Sequence, residues 1–349
     1  MGRRAIAKVR KLGLFCGILL SVTLFFELPS LYAQEKKFIM KIGHVVAADI
    51  NAYKHAQMII FRDYVNAKSG GRMEVQVYGG GVMGGERELV EAVKLGSLQA
   101  CSASAALGAF YPNEMIFGIP YLFPSAPIAW EVLDGPFGKK MSADLLKKTG
   151  MRNLHFGEVG YRHFTNNKRR IRTPQDMVGL KIRIQESPLY VTLVKSLGAN
   201  PTPIPWPEVY TALSGGVVDG QENPISVILT AKLQEVQKFC ILDSHVYGVD
   251  WFLVNDKWYQ SLPKDLQELL YDAAKIAIVV ERGNTQFNSI LGLDTMRKAG
   301  VDIYAPTASE IALFKKASQG PVIEWLKTKV DPKLINELLQ AVEKAIKNK

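Results

Sequence analysis

The segment GLKIRIQESPLYVTLVKSLGANPTPIP, residues 179–205, decides the fold class of this chain. Its run KIRI at 181–184 predicts a β-strand, and the residues after it predict a helix over 188–197 with Pro188 at the first helical position. A strand that leads directly into a helix is the repeating unit of α/β proteins, in which helices cover a mainly parallel sheet.

Strands and helices alternate in the same way along most of the chain. The sequence predicts further strands at 38–42, 73–78, 98–102, 153–159 and 251–254, and further helices at 52–67, 86–94 and 207–213. This alternation predicts an α/β fold with mainly parallel sheets.

A single long helix is predicted over 263–299, opened by Ser261 and closed by Gly300. Its apolar residues recur with the helical period, as in Leu266, Leu269, Leu270, Ala273, Ala274 and Ala277. At 1.5 Å per residue the helix would be about 55 Å long, with Gly283 and Gly292 as places to bend. Because this length exceeds one small lobe, we expect the helix to brace two lobes.

The first 33 residues are predicted to be a secretory signal peptide. Five Lys and Arg residues precede an apolar stretch at 12–26, and LYA at 31–33 precedes the polar run QEKK. A positive end, a short apolar core and a small residue at the cut indicate cleavage near Ala33 and a periplasmic location. The alternative is a membrane anchor, since the apolar stretch approaches the length of the shortest membrane-spanning helix.

The charge of the chain points to no nucleic-acid partner. Without residues 1–33, 38 Lys and Arg residues remain against 32 Asp and Glu, so the net charge falls from +10 to +6. This excess is spread along the chain. The dense cluster KRRIR at 168–172 lacks the aromatic residues on which bases would stack, and we interpret it as a solvated loop.

Two cysteines, Cys101 and Cys240, remain after the leader. Export would permit a disulfide between them. Both lie in apolar, strand-like runs, however, and we expect two buried free thiols. The cysteines and the five histidines show no metal-ligand spacing, so neither a metal nor another cofactor is expected.

The residues beyond the leader exceed what one hydrophobic core usually holds, which predicts two lobes. In open α/β sheets the ligand lies beyond the carboxyl ends of the strands. Two such lobes that face each other would form a cleft able to close on a small molecule.

Seven motifs follow one another along the chain: GGEREL at 84–89, IPYLF at 119–123, GYRHFTN at 160–166, GLKIRI at 179–184, GANPTP at 198–203, EVYTAL at 208–213 and GVVDGQENP at 216–224. In this order and spacing they resemble the DctP-type solute-binding proteins of TRAP (tripartite ATP-independent periplasmic) transporters. The resemblance covers essentially the whole chain after the leader.

The resemblance implies a two-lobe periplasmic binding protein fold with an inter-lobe cleft and chain crossovers near residues 159 and 249. Lobe I would comprise 37–158 plus 249–296, and lobe II 159–248 plus 297–349. It also implies a binding protein, not an enzyme, that takes up a small organic acid and delivers it to a membrane permease. Such acids include dicarboxylates, keto acids, sugar acids, sialic acid and aromatic acids. The oligomeric state stays open, with a monomer as the default expectation.

Two alternative functions stay open at this point. A related binding protein that serves an extracytoplasmic sensor would have the same kind of sequence. A periplasmic enzyme on the same scaffold is the other alternative, although the chain contains neither a Gly-x-Ser-x-Gly nor a His-Glu-x-x-His motif.

Arg183, Arg162 and Asn223 are the principal candidates for binding the ligand. The resemblance aligns Arg183 with the family's carboxylate-binding arginine, whose planar guanidinium offers two parallel donors; the alternative is a surface arginine. Arg162 matches the second arginine, which contacts the ligand or supports the closed cleft, and the alternative is an ion pair between lobes. Asn223 would direct its amide to the same carboxylate, or else is a turn residue before Pro224.

Trp206, Glu186 and His245 are further candidates. Trp206 matches an aromatic position of the cleft, where an indole can cover the body of a ligand; the alternative is a core residue. Glu186 matches a polar position that would suit a ligand hydroxyl or amine, or else would hold a neighbouring arginine. His245 matches a position near the second crossover, where a structural histidine is the alternative.

Ser102 and Ser104 lie at the end of the third predicted strand, where the first lobe of the family reaches the ligand. Small hydroxyl side chains permit close contact, although they are also ordinary at strand ends. Some sialic-acid-binding members have a glutamate in this stretch, whereas this chain has Ala103. That difference argues against sialic acid as the ligand.

Overall fold

Strands and helices alternate along residues 37–348, the part of the chain that the computed structural model describes. The strands are β1 (Phe38–Gly43), β2 (Met73–Tyr78), β3 (Ala100–Ala103), β4 (Met151–Asn166), β5 (Lys181–Ile184), β6 (Asn200–Pro203), β7 (Gly220–Asn223), β8 (Phe239–Ile241), β9 (Val246–Asn255) and β10 (Asp302–Tyr304). The helices are α1 (Tyr53–Lys68), α2 (Glu86–Leu95), α3 (Ala126–Asp134), α4 (Pro136–Thr149), α5 (Pro188–Ser196), α6 (Val209–Ser214), α7 (Ile225–Thr230), α8 (Asp256–Gln260), α9 (Lys264–Lys298), α10 (Ala308–Leu326) and α11 (Pro332–Lys347). The predicted signal peptide, its cleavage near Ala33 and the alternative anchor lie outside these residues.

The strands form one continuous order, β2-β1-β3-β9-β4-β7-β5-β6, and β8 pairs with both β4 and β10. Pairing is parallel for β1–β2, β1–β3, β5–β6, β5–β7 and β8–β10. It is antiparallel wherever β4 or β9 takes part. The mainly parallel α/β class predicted from the sequence is confirmed, and β4 and β9 are what join its two halves.

The long strands β4 and β9 cross the molecule together. Their register shifts between Glu158, which pairs with Val249, and Gly160, which pairs with Gly248. Gly160 has a φ of +109°, a conformation that other residues adopt only under strain. The shift lies near residues 159 and 249, where chain crossovers are expected, and the crossovers stay a prediction. The lobe boundaries themselves stay a prediction, because the described residues lie within one compact unit.

Helix α9 runs without interruption for 35 residues, or about 52 Å. The sequence predicted a start at residue 263, with Ser261 as the residue that opens the helix. Instead Pro263 is the capping residue, and the Ser261 hydroxyl donates to the carbonyl oxygen of Trp258 at 2.6 Å. The helix packs against α1 and β4 in one half and against α7 and β10 in the other, so it braces both halves as expected. Among the described helices, none is long and apolar enough to cross a membrane.

Helix α9 continues through both of the glycines that were expected to allow bending. A Cβ atom on Gly292 would lie 2.4 Å from Leu229, so this glycine permits close packing on α7.

Cys101 and Cys240 are both buried and free, which confirms the expectation of two unpaired thiols. The helix predicted at 207–213 begins instead with a short 3₁₀ turn, Trp206–Glu208, that leads into α6.

Candidate functional site

A central cavity lies where two pairs of parallel strands end. Val45 and Val46 follow β1, Ser104 follows β3, Gln185 follows β5, and Asn223 ends β7. The carboxyl ends of strands from both halves therefore converge on one space, as expected for a ligand site in an α/β fold. Of the eight residues predicted from the sequence, six line it: Ser104, Arg162, Arg183, Glu186, Trp206 and Asn223.

Arg183 lies in the wall of the central cavity and is 2% exposed. Its Nε and Nη2 atoms donate to the carbonyl oxygen of Ile204 at 2.9 and 2.7 Å, which fixes the plane of the guanidinium. Its Nη1 atom is buried and has no hydrogen-bond partner among the described residues. The surface-arginine alternative is therefore wrong, and one nitrogen of a buried cation, which carries two N–H donors, stays unsatisfied.

Burial lowers the pKa of Arg183 to about 10, because charge is costly away from water. The charge of Glu222 opposes this change, and that of Arg162 adds to it. The Trp206 ring lies 5.5 Å from the guanidinium carbon, close enough for a cation–π contact. Trp206 thus lines the cavity and also covers one side of Arg183.

Arg162 lies in the same cavity wall but is fully paired with Glu222. Its Nη2 atom donates to Oε1 of Glu222 at 2.9 Å and to the carbonyl oxygen of that residue at 2.7 Å, and its Nε atom donates to Oε2. Burial alone would lower the pKa of Arg162, but the charge of Glu222 raises it above the usual value. The ring of Tyr190 lies 5.4 Å from the guanidinium.

Asn223 is buried beside Arg162 and lines the cavity. Its Oδ1 atom accepts from Nη2 of Arg162 at 3.0 Å, and its Nδ2 atom donates to Gln221 at 2.5 Å. An amide nitrogen carries two hydrogens, so one donor remains beyond this bond. The side chain is oriented by Arg162 and Gln221, which makes it more than a turn residue before Pro224.

His245 does not line the central cavity, and its contacts match the structural alternative. Its Nδ1 atom lies 2.9 Å from Asp243, its Nε2 atom lies 3.4 Å from Glu222, and its ring stacks on Phe164. Burial would lower the pKa of His245, but the charge and hydrogen bond of Asp243, with a contribution from Glu222, raise it to about 9. His245 therefore contacts Glu222 without lining the cavity.

The two serines differ in position. The hydroxyl of Ser102 donates to Asp250 and lies outside the cavity lining. Ser104 lines the cavity, where its backbone nitrogen donates to Glu86 at 2.9 Å and its hydroxyl accepts from Gln185 at 2.9 Å. Only Ser104 is thus placed to contact a bound molecule.

A buried ion network that the sequence did not predict forms another part of the wall. Lys54 lies 2.6 Å from Glu86 and 3.0 Å from Asp250, and all three residues are buried. Burial alone would lower the pKa of Lys54, but the charges of Asp250 and Glu86 raise it well above its usual value. Glu86 could have been singled out from the sequence, because it lies in the motif GGEREL. Lys54 could not, because a lysine in an amphipathic helix is usually solvated.

Glu186 is a half-buried carboxylate at the edge of the cavity, and no cation lies within ion-pair distance of it among the described residues. Burial, together with the charge of Glu88, raises its pKa above the usual value. The cavity thus contains an unpaired cation at Arg183 and an unpaired carboxylate at Glu186. In the described part of the chain, no group of His, Cys, Asp and Glu side chains could hold a metal ion.

Residues 42–328 match the model of the bacterial extracellular solute-binding proteins, family 7, called DctP. A solute-binding protein of Verminephrobacter eiseniae is 37% identical over 254 residues, 72% of this chain and 76% of that protein. A C4-dicarboxylate-binding periplasmic protein of Rhodobacter capsulatus is 31% identical over 303 residues, 86% of this chain and 90% of that protein. This chain is also similar to the crystal structure of a sugar acid binding protein of Advenella mimigardefordensis in complex with galactonate. The TM-score is 0.85 at 31% sequence identity, over 89% of this chain and 99% of that one.

Proposed function

Since this chain belongs to family 7 of the bacterial extracellular solute-binding proteins, we propose that it is the periplasmic binding component of a TRAP transporter. It binds a small organic acid and delivers it to a membrane permease, after export and cleavage of a signal peptide near Ala33. The family and the similar structures are solute-binding proteins rather than enzymes. A partnership with an extracytoplasmic sensor is the alternative, and binding tests with each partner would distinguish the two.

The observation that supports carboxylate binding is the unsatisfied guanidinium of Arg183. A buried donor without an acceptor costs free energy, and a ligand carboxylate would restore the missing hydrogen bond and the missing counter-charge. Asn223, which keeps one amide donor, lines the same space. Arg162 orients Asn223, while its own charge is neutralised by Glu222.

Binding is proposed to end with closure of lobe I (37–158 plus 249–296) on lobe II (159–248 plus 297–349). Arg183, Trp206 and Asn223 lie in the proposed lobe II, whereas Lys54 and Glu86 lie in the proposed lobe I. Closure would exclude water from between these groups, and the charge-assisted hydrogen bonds to the ligand would strengthen in the lower dielectric. The closed surface would then be presented to the permease.

The proposed ligand is a hydroxylated acid with one carboxylate. Glu186 can accept hydrogen bonds from ligand hydroxyls, but a second ligand carboxylate would lie near an unpaired negative charge and be repelled. Of the similar proteins, one binds C4-dicarboxylates and another was crystallised with galactonate. The negative charge of Glu186 in this cavity favours a ligand that resembles galactonate, with one carboxylate, over a dicarboxylate.

The test is calorimetry with two matched pairs of acids. Erythronate and meso-tartrate differ only at one chain end, where the first has a hydroxymethyl group and the second a carboxylate. Galactonate and galactarate differ in the same way on a longer chain. We expect the protein to bind the monocarboxylate of at least one pair and to bind its dicarboxylate more weakly. Tighter binding of the dicarboxylates would overturn the ligand class alone, and failure of thermal-shift screening to find any organic acid would overturn the proposed function.

A further inference from the structure

The outward face of α9 carries a continuous row of exposed apolar residues, the outer stripe, made of Ile276, Val279, Gly283, Phe287, Ile290 and Leu291. Val279 is 67% exposed, Phe287 63% and Ile290 71%. Their spacing of three or four residues places them on one side of the helix. The opposite side of α9 is occupied by the buried residues that pack on the body of the protein.

The outer stripe spans about 22 Å of helix. Single exposed apolar residues are normal, and Leu95 on α2 is one of them, but a contiguous apolar row on a soluble protein marks an interaction surface. Gly283 lies in the middle of the row, and a Cβ atom built there would meet nothing within 4 Å. The centre of the stripe is therefore flat and open to close approach by another helix.

Exposed charges of opposite sign flank the two ends of the stripe. Glu268 and Asp272 precede it, and Arg297 and Lys298 follow it. Nearest the stripe, Lys275 lies 3.6 Å from Asp272, and Asp294 lies 2.7 Å from Lys298. The amino-terminal flank is thus acidic on balance, and the carboxyl-terminal flank is basic on balance.

We propose that the outer stripe is the interface of a two-fold symmetric dimer, in which α9 packs antiparallel on α9 of a second copy of this chain. An antiparallel arrangement centred near Gly283 sets Ile276 of each copy against Leu291 of the other. It also sets Asp272 against Arg297, and Lys275 against Asp294. One patch that complements itself in this way is what two-fold symmetry requires. The proposed dimer differs from the monomer expected from the sequence.

The same charges argue against other arrangements of the stripe. A parallel pair of helices would place the acidic flanks together and the basic flanks together, and both contacts would be repulsive. An anionic membrane surface attracts apolar helices that have basic flanks, whereas one flank here is acidic.

The first experiment is sedimentation analysis over a concentration series, with protein purified from the periplasmic fraction. We expect a reversible dimer for the wild type and a monomer for Phe287→Glu combined with Ile290→Glu. The matched control is Leu95→Glu, which places the same charge at an isolated exposed residue and should leave the dimer intact. Thermal melting checks that each variant is folded. A wild-type protein that stays monomeric at every concentration would overturn the proposal.

The second experiment reverses the flanking charges. Glu268→Lys with Asp272→Lys makes both flanks basic, and Arg297→Glu with Lys298→Glu makes both acidic. Each variant alone should be monomeric, while an equimolar mixture of the two should form a heterodimer, and the chain with all four changes should dimerise again. A mixture that stays monomeric, or single variants that dimerise as the wild type does, would contradict the antiparallel arrangement.

Discussion

Two buried arginines in one cavity wall have opposite electrostatic surroundings. Arg162 has a buried carboxylate of its own in Glu222, whereas Arg183 is held by a single carbonyl oxygen, and its Nη1 nitrogen has no partner among the described residues. Burial by itself lowers the pKa of both arginines. The resulting pKa of Arg162 is nevertheless raised, whereas that of Arg183 is lowered to about 10. From this difference we expect different tasks: Arg162 would hold the fold together, and Arg183 would be completed by an anion from outside.

The largest effect should follow from breaking the pair that the fold has completed. Arg162→Ala leaves Glu222 as a buried charge without its cation, and we expect a loss of about 3–5 kcal/mol in the free energy of unfolding, measured with urea. The double variant Arg162→Met with Glu222→Leu removes both charges and should lose less than the single variant. Equal losses in the two variants would show that the pairing is not what makes Arg162 structural.

Arg183→Ala should instead act on ligand binding. Removing one partner of a buried charged hydrogen bond typically costs about 2–5 kcal/mol, which corresponds to an affinity at least about 30-fold weaker. Calorimetry with the acid identified by thermal-shift screening measures the change. Without ligand, this variant should unfold no more readily than the wild type, because it relieves an unsatisfied buried donor.

Arg170→Ala is the matched control for Arg183, since it removes an exposed arginine that is paired with Asp302. We expect its affinity to stay close to that of the wild type. An Arg183→Ala protein that binds within twofold of the wild type would remove Arg183 from the site and leave the two arginines equivalent.

The sequence predicted the elements of this fold well, because local patterns specify them. The alternation of strands and helices, the long helix and the family resemblance were all visible in short stretches, and the family match confirms the resemblance. The start of the long helix was predicted to within one residue, but its capping residue was predicted wrongly, because Ser261 looks like a cap whereas Pro263 takes that position.

The sequence could not show which arginine is paired. Arg162 and Glu222 are 60 residues apart, and they meet because β4 pairs with β7 in a register that sets Phe164 opposite Glu222. The burial of Lys54 likewise depends on Asp250, which comes from a strand far along the chain. Motif positions identified the residues around the cavity, but only the tertiary structure distinguishes a satisfied charge from an unsatisfied one.

The pH dependence of stability tests whether the charge of His245 supports Glu222, the ion-pair partner of Arg162. Its pKa of about 9 in the folded protein exceeds the ordinary value of 6.5, so its protonated form stabilises the fold below pH 6.5. That contribution, on the order of 3 kcal/mol, should be lost as the pH rises from 6.5 through 9. Unfolding of the wild type and of His245→Gln, measured across this range, should differ most at its acidic end.

The stability difference between the wild type and His245→Gln is the informative quantity, because the titration of Glu114 and Glu158 also makes the folded protein less stable as the pH rises. Their pKa values are raised to about 8 and about 7 by burial, so their stabilising protonated forms are also lost as the pH rises. A His245→Gln protein whose stability difference from the wild type does not change with pH would mean that His245 is neutral and does not support Glu222 by its charge.

The smallest expected effect concerns Glu186, the unpaired carboxylate in the same cavity as Arg183. Glu186→Gln keeps an acceptor for ligand hydroxyls and removes the negative charge, so meso-tartrate should bind about tenfold more tightly, a gain of about 1.4 kcal/mol. The affinity for erythronate should change much less. Glu268→Gln serves as the control, because it removes the same charge from a residue far along the chain, on the exposed side of α9. Equal changes for the two acids would mean that Glu186 acts on the general charge of the cavity, and that Arg183 alone selects the ligand.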